Sequence, residues 1–366
     1  MTKTTNRETS VVIDARACRT APNGLGKHVE ALAELIAENR LRLTLLTDGP
    51  FHDHYAPPAS ARVVTLASTG RWNWEQRVVR DYLRRERPGV YIAASNRGLP
   101  LARLPQTACL LVLHDVIPWI LPHLFFWQPP RFWCLRHEAL PQLAAIFRAD
   151  HILTVSNTSR RDIRRLAPGK SITVLPHRLR AAPLPPRDKP ASQFVYVGGV
   201  DRRKRTAELL IAFGRFHQTH PHFRLILIGS GYSTLTARIS QLGLTNAVRI
   251  TGAISDEHRD KLINQSAAMI YPSLYEGFGL ALAEAMGAGT PVIAGKGGAQ
   301  PEVAGPAALY VNPRDPDSIL AAMHAVLRPK VRTRLLKARE REIPRLFDPE
   351  ISARTIALIE RLVRSE

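Results

Sequence analysis

Two glutamates eight positions apart, Glu276 and Glu284, stand in the stretch IYPSLYEGFGLALAEAMGAGTPVIAG with Gly277 and Gly279 between them. The stretch reads as a strand, a glycine turn, a helix and a second strand. A helix opening near Gly279 would direct unpaired backbone N–H groups and the positive end of its dipole at the preceding loop, where an anion is stabilised. Glu276 could then face a ligand from the loop, and Glu284 from the first turns of the helix. The same residues also suit two solvated glutamates beside an ordinary helix start. Local chemistry leaves both readings open.

Positive charge gathers in YVGGVDRRKR, where Gly198 and Gly199 end a strand and Arg202, Arg203, Lys204 and Arg205 precede a helix. Guanidinium matches phosphate oxygens bidentately and lysine adds a mobile point charge, so such a turn could clamp a diphosphate. Four adjacent cations cannot all face one ligand, and two are expected on the solvated surface. A wholly solvated run is the plainer alternative. His114 and Asp115 end CLLVLHD, a polar pair at the tip of a buried strand. Their alternative is a capping aspartate beside a packed histidine. The glycine turn Gly24-Leu25-Gly26 and Gly229-Ser230-Gly231 permit close approach of a bound group, although a GxG is by itself a weak signal.

Elements able to hold these residues recur along the chain. Strands are expected at 11–16, 41–47, 63–67, 90–94, 109–115, 151–156 and 172–177, with helices at 27–39 and about 73–86 among them. The strands are continuously apolar rather than alternating, as a parallel sheet covered on both faces requires. Residues 181–192, AAPLPPRDKPAS, hold four prolines and read as a linker. A second series follows, with strands at 194–199, 223–231, 248–252, 267–273 and 291–295 and helices at 206–217, from 232, near 257–265, 280–287 and 317–326. The expected class is α/β, with two Rossmann-like, doubly wound domains at 1–180 and 193–345 facing across a cleft, and ligands at the C-terminal strand ends. In the remainder, 346–366, ISARTIALIERLVR has a helical stripe of Ile351, Ile356, Ile359 and Leu362 that either closes the second domain or crosses back to the first.

Composition narrows the function classes. With 366 residues, 45% hydrophobic and 22% charged, the chain has material for two ordinary cores and lacks the profile of disorder. Cys18, Cys109 and Cys134 form no CxxC and are expected as reduced, mostly buried thiols, which suggests a cytoplasmic, reducing compartment. The polar start MTKTTNRETS lacks the shape of a secretory signal, and no apolar run approaches the roughly 18 residues of a spanning helix. The 51 Lys and Arg against 31 Asp and Glu give a net charge of +20, which attracts anionic partners: nucleic acid, lipid headgroups or phosphorylated ligands.

Taken in order, VVIDAR, GLGKHVEAL, HDVIPW, TVSNTSRRDI, YVGGVDRRKRTAELLIAF, LILIGSG and YEGFGLALAEAMGAGTPVIAGKGGAQPEVAGPAALYVNP resemble the retaining, nucleotide-sugar-dependent glycosyltransferases of GT-B architecture, family 4 or group 1. The nearest look is that of bacterial mannosyltransferases in surface-polysaccharide synthesis. The resemblance covers about 11–364, and its specific element is Glu276-x7-Glu284. It implies that Glu284 hydrogen-bonds the donor ribose and that Glu276 orients the sugar or stabilises charge beside it. Arg203 and Lys204 would hold the diphosphate, with Gly26, Gly199, Gly277, Phe278, Gly279 and Leu280 also at the donor. His114 would approach the transferred sugar. Catalysis would rest on His114, Arg203, Lys204 and Glu276, with neither metal nor cofactor. The implied substrates are a nucleotide sugar, GDP-mannose favoured, and a saccharide or lipid-linked saccharide acceptor. The chain departs from the family pattern in having Arg202 for the usual Pro, Arg205 for the usual Asn, and Ala281 for another Pro.

Two other classes compete. A basic nucleic-acid-binding module would explain the charge, but no motif of the usual nucleic-acid-binding folds is present. An inactive scaffold would not need both glutamates. The segment 116–140 adds Trp119, Phe125, Phe126, Trp127, Phe132 and Trp133 beside Arg131 and Arg136, and is expected either to seat peripherally on an anionic cytoplasmic membrane surface or to form an aromatic core under a loop.

Overall fold

In the computed structural model, residues 10–20, 24–125, 134–177, 192–346 and 350–364 are described. The expected linker lies outside them except for Ser192, as do Phe126, Trp127, Arg131, Phe132 and Trp133 of the aromatic segment.

The apolar runs of the first half form a seven-stranded sheet. Its strands are β1 (Ser10–Asp14), β2 (Arg42–Thr47), β3 (Arg62–Thr65), β4 (Val90–Ala93), β5 (Ala108–Val112), β6 (His151–Thr154) and β7 (Ile172–Val174), all parallel, in the order β3-β2-β1-β4-β5-β6-β7. Successive side chains enter opposite faces, as the strand period of two requires. Val11, Ile13, Val90 and Ile92 pack against Val29, Leu32, Ala33 and Ile36 of helix Gly24–Glu38. Val12, Tyr91 and Ala93 pack on the other side with Trp74, Leu83, Ile146 and Ile163.

The second sheet contains β8 (Gln193–Val197), β9 (Arg224–Ile228), β10 (Val248–Gly252), β11 (Ala268–Tyr271), β12 (Val292–Gly295) and β13 (Ala308–Val311), again parallel, in the order β10-β9-β8-β11-β12-β13. Phe194, Tyr196, Leu225 and Ile270 bury one face against Leu209, Phe213 and Phe216 of helix Thr206–Thr219 and against Ile319 and Met323. Both sheets are thus Rossmann-like. Each changes direction beside its first strand, between β1 and β4 and between β8 and β11, the places where open α/β sheets leave a crevice at the strand ends.

Two compact units result, Met1–Pro176 with Pro349–Glu366, and His177–Asp348. The C-terminal helix Glu350–Arg364 is part of the first: Ile356, Leu358 and Ile359 enter its core, and Val363 lies against Gly89.

Some local forms differ from the pattern read in the sequence. The helix expected near 73–86 contains a wide π turn, Trp74–Val78, between Arg71–Asn73 and Val79–Glu86. That turn buries two consecutive residues: the Trp74 indole donates to Asp14 (3.1 Å) and Glu75 receives Arg97 through two 2.8 Å bonds. Gly24 and Gly26, expected in a turn, instead lie in the first turn of helix Gly24–Glu38, where the Gly26 carbonyl accepts from the Cys18 thiol; packing outweighs the poor helix propensity of glycine. Strand β13 and helix Pro329–Leu346 were not legible as elements. The helix hides its apolar stripe among charges, since Arg332 and Arg339 bury their stems and heads beside Leu335 and Ile343.

Candidate active site

The switch point of the second sheet brings the basic turn and the acidic loop together, because β8 and β11 are neighbours and each leads into one of them. After β8 the Tyr196 hydroxyl donates to the Gly199 carbonyl (3.0 Å) and the Tyr232 hydroxyl to that of Gly198 (2.6 Å), closing the turn. The Asp201 carboxylate then accepts from the Arg203 amide (2.8 Å) and caps the short 3-10 turn Arg202–Lys204. This cap sets which cations face inward. Arg203 and Lys204 point to the loop after β11, Arg202 is exposed, and Arg205 pairs with Glu208 at 2.6 Å.

Arg203 fastens the loop at several points. Its carbonyl accepts from the Leu274 amide (2.8 Å), and its Nη1 donates to Ser273 Oγ (3.1 Å) and the Tyr275 carbonyl (2.5 Å). The same Nη1 stands 2.5 Å from Glu276 Oε1, a charge contact without hydrogen-bond alignment. Lys204 Nζ lies 3.8 Å from that oxygen and donates to the Tyr271 hydroxyl at 2.9 Å. Burial alone would raise the Glu276 pKa. The charges of Arg203 and Lys204, with Ser273 beside the carboxylate, more than reverse this and hold it below the usual carboxylate value. Burial, reinforced by Glu276, pushes the Tyr271 phenol well up, so it stays neutral.

The loop's other side rests on residues 297–300. Glu276 forms a parallel bridge with Gly298, its carbonyl accepts from the Ala299 amide (2.8 Å), and Gln300 donates to the carbonyls of Ser273 (2.9 Å) and Gly297 (3.0 Å). Gly279, at φ +93°, then turns the chain into helix Leu280–Gly287 without a side-chain cap. The helix start can therefore serve an anion. Its far end is held by Arg339, which donates to the carbonyls of Met286 and Gly287 and complements the dipole. Gly277 and Phe278 are buried, Leu280 is half-buried, and the Phe278 ring meets His177 edge-on at 5.0 Å. Glu284, one turn into the helix, lies 3.3 Å from Arg259 Nη2.

His114 and Gly26 belong to the first unit. The His114 amide donates to Asn96 Oδ1 (2.7 Å), its carbonyl accepts from the Ser159 hydroxyl (2.9 Å), and its ring meets His28 edge-on at 4.9 Å. Burial lowers its pKa to about 4, against a small opposing effect of the Ala94 backbone, so the imidazole is neutral near pH 7. Asp115 accepts from the Ile117 amide (3.1 Å), a local turn one residue before the N-cap Val116 of the short helix Ile117–Ile120. At this sheet's own switch point Asp14 ends β1, buried, bound by Arg16 through bonds of 3.0 and 2.8 Å and by Trp74.

Residues 22–177 match the model described as Glycosyltransferase Family 4, and residues 178–342 match Glycosyl transferases group 1. The chain belongs to this glycosyltransferase family. It is 29% identical over 227 residues to an MMP alpha-(1->4)-mannosyltransferase of Mycolicibacterium hassiacum, covering 58% of this chain and 54% of that one. It is 34% identical over 132 residues to an O-antigen chain mannosyltransferase B of Escherichia coli, covering 35% and 34%. The chain spans about half or less of the length of these curated relatives. Among solved structures, a sucrose-phosphate synthase from Thermosynechococcus elongatus superposes with a TM-score of 0.77 over 98% of this chain and 99% of that one, at 20% identity, a likeness of fold.

In this member of the glycosyltransferase family, Arg203, Lys204 and Glu276 form one cluster, and Glu284 stands on the helix that follows it. Asp201, Ser273, Tyr271, Gln300 and Arg259 carry the geometry but were not singled out in the sequence. The paired glycines of GKGGAQ were a usable signal for the 297–300 support. Arg259 gave none, since an arginine among Asp256, Glu257 and Asp260 reads as a solvated helix face.

Proposed function

We propose that the protein is a retaining hexosyltransferase that moves a mannosyl group from GDP-mannose to a saccharide or lipid-linked saccharide in cell-surface polysaccharide synthesis. The observation that carries this is the convergence of Arg203 and Lys204 on Glu276 beside the start of helix Leu280–Gly287. Two cations and a helix N-terminus suit a nucleoside diphosphate, and the carboxylate suits the hydroxyls or developing charge of a sugar. Mannose is favoured because two relatives carry mannosyltransferase names.

In the reaction the bond from the anomeric carbon to the diphosphate breaks, and its electron pair leaves with the nucleoside diphosphate. Arg203 and Lys204 stabilise the charge that grows on that oxygen, so no general acid of the glycosidase kind is required. The acceptor hydroxyl forms the new bond on the same face and passes its proton to the departing diphosphate. Glu276 organises the sugar, and Glu284 takes the ribose. In the first unit, neutral His114 is assigned to meet the sugar as a hydrogen-bonding group. Neither a metal nor a cofactor enters this scheme.

The acceptor side is read as membrane-associated. No helix among the described residues is long and apolar enough to cross a membrane. Trp72, 63% exposed, stands between Gly70 and Arg71 on one side and Arg77 on the other, and Leu101, Leu140 and Phe147 of the same unit are also exposed. Elements carrying these side chains are joined: Arg71 to Glu138 (2.8 Å), Gln76 to Leu101 (2.8 Å) and Arg148 to the Ala102 carbonyl (3.2 Å). Apolar groups among arginines suit an anionic leaflet.

The test offers the purified protein a panel of nucleotide sugars with extracts containing lipid-linked sugars, and follows products by mass spectrometry and anomeric configuration by NMR. GDP-mannose consumption with retention is expected. Transfer with inversion, or none from any donor, overturns the proposal.

A further inference from the structure

Helix Asp256–Asn264 follows the edge strand β10, and Arg259 on it reaches three carboxylates. Its Nη1 is 2.5 Å from Asp256, its Nη2 is 2.7 Å from Asp260, and the same Nη2 is 3.3 Å from Glu284. The two aspartates are on its own helix with side chains 54% and 38% exposed, whereas Glu284 comes from the donor-site helix and is 15% exposed. Exposed pairs contribute little, so the contact with Glu284 is the one with structural consequence. Burial would lower the guanidinium pKa, yet the carboxylates, Glu284 first among them, raise it.

Docking of the two helices does not depend on this contact. Asn264 Nδ2 donates to the Ala288 carbonyl (2.7 Å), Thr290 donates to the Ile263 carbonyl (2.8 Å), and Leu262 and Ile263 are buried. With the backbones registered there, Arg259 meets Glu284 from a fixed base. An apolar residue at this position could not orient a carboxylate.

We propose that Arg259 is a positioning residue for the donor nucleotide, holding the Glu284 carboxylate where the two hydroxyls of the ribose must find it. This rests on the donor reading given above. It makes Arg259 a determinant of nucleotide affinity that leaves the diphosphate clamp and the sugar chemistry untouched.

Calorimetric titration of the full chain with GDP, UDP and inorganic pyrophosphate tests it, since pyrophosphate has the clamp's ligand atoms and no ribose. Arg259→Leu should weaken both nucleotides about tenfold and leave pyrophosphate unchanged. Adding Arg259→Leu to Glu284→Gln should cost nothing further, because both act through one group. In turnover assays the donor KM should rise with kcat held within about twofold. Should the leucine variant fail to fold, Arg259→Gln carries the same expectations at nearly the same volume. Equal weakening of pyrophosphate, additive losses in the double variant, or unchanged nucleotide affinity in both Arg259 variants overturns the proposal. If Glu284→Gln weakens GDP while Arg259→Leu and Arg259→Gln do not, Arg259 alone loses its role. No binding of either nucleotide by the wild type, or no effect of Glu284→Gln, overturns the donor reading itself and the proposal with it.

Discussion

Arg203 and Glu276 form an ion pair with 2.5 Å between Nη1 and Oε1, each side chain only 11% exposed. The basic turn therefore meets its first counter-charge inside the protein. Under the proposed function, a diphosphate bound there would share cations that are already oriented, leaving little reorganisation for the moment of reaction. The pair is also a liability in the free protein, because losing one partner leaves the other buried with less compensation.

That asymmetry is measurable. Arg203→Met should destabilise the second unit by about 3 kcal/mol, since among the described residues Glu276 keeps only Lys204, at 3.8 Å, as a charge partner. Adding Glu276→Gln should recover part of the loss. Urea unfolding of the two variants would show it, and a double variant less stable than Arg203→Met would contradict the pairing.

Lys204→Ala should act on turnover more than on stability. In the proposed donor site the ammonium would lie beside the leaving group, where charge grows in the transition state, and a charge-assisted contact is worth roughly 1.5–3 kcal/mol. A fall in kcat of at least about tenfold is expected. Near-normal kcat would move the work to another cation, of which Arg202 is the exposed neighbour.

The pH dependence of stability has two components of the same sign. Glu276 has a folded pKa below its ordinary 4.5, so its contribution is present above that value and lost as pH falls through the folded one. His114 has a folded value of about 4 against 6.5, so between those values the unfolded chain takes up a proton that the folded protein does not. Stability therefore falls from pH 6.5 toward 4, by up to about 3 kcal/mol from this residue. His114→Asn should flatten the upper part of the curve and Glu276→Gln the part below 4.5. Unfolding free energies between pH 3 and 8 would separate them.

How far the sequence disclosed this site depends on how local each contact is. Helix Leu280–Gly287 was readable because a glycine precedes it and its residues are apolar apart from Glu284. The inward turn of Arg203 and Lys204 was not, since it depends on the Asp201 cap and on the adjacency of β8 and β11, a pairing between residues some 70 positions apart. Gly24 and Gly26 misled, because propensity favours a turn where packing makes a helix. Arg259 and Arg339 were hidden for a different reason: a buried arginine and a solvated one look alike until their partners are known.

Membrane seating makes its own prediction. Trp72→Ala should reduce sedimentation with vesicles containing anionic phospholipid, and raised salt should reduce it further, while neutral vesicles bind little in either case. Equal, negligible binding of the wild type to both vesicle types at low salt would remove the membrane reading. The acceptor would then be a soluble saccharide.

The support beneath Glu276 gives the sharpest steric test. A Cβ on Gly297 would stand 1.7 Å from the Leu274 carbonyl oxygen, and one on Gly298 would stand 2.2 Å from that of Glu276. Both obstacles are backbone, so neither can swing aside. Either alanine must push the 274–276 segment off its seat, and that segment carries the carboxylate that Arg203 and Lys204 face. Gly298 adds a positive φ of 66°, which a side chain disfavours, so Gly297 is the cleaner probe. Gly297→Ala should cost about 1–3 kcal/mol of stability, as overpacking does, and should lower turnover by more than the fraction unfolded accounts for. Gly169→Ala is the matched control, because a Cβ there meets nothing within 4 Å and the substitution should stay within about 0.5 kcal/mol. Thermal unfolding and donor kinetics on the two variants decide the matter. If Gly297→Ala behaves like Gly169→Ala in both, residues 297–300 do not set the position of Glu276.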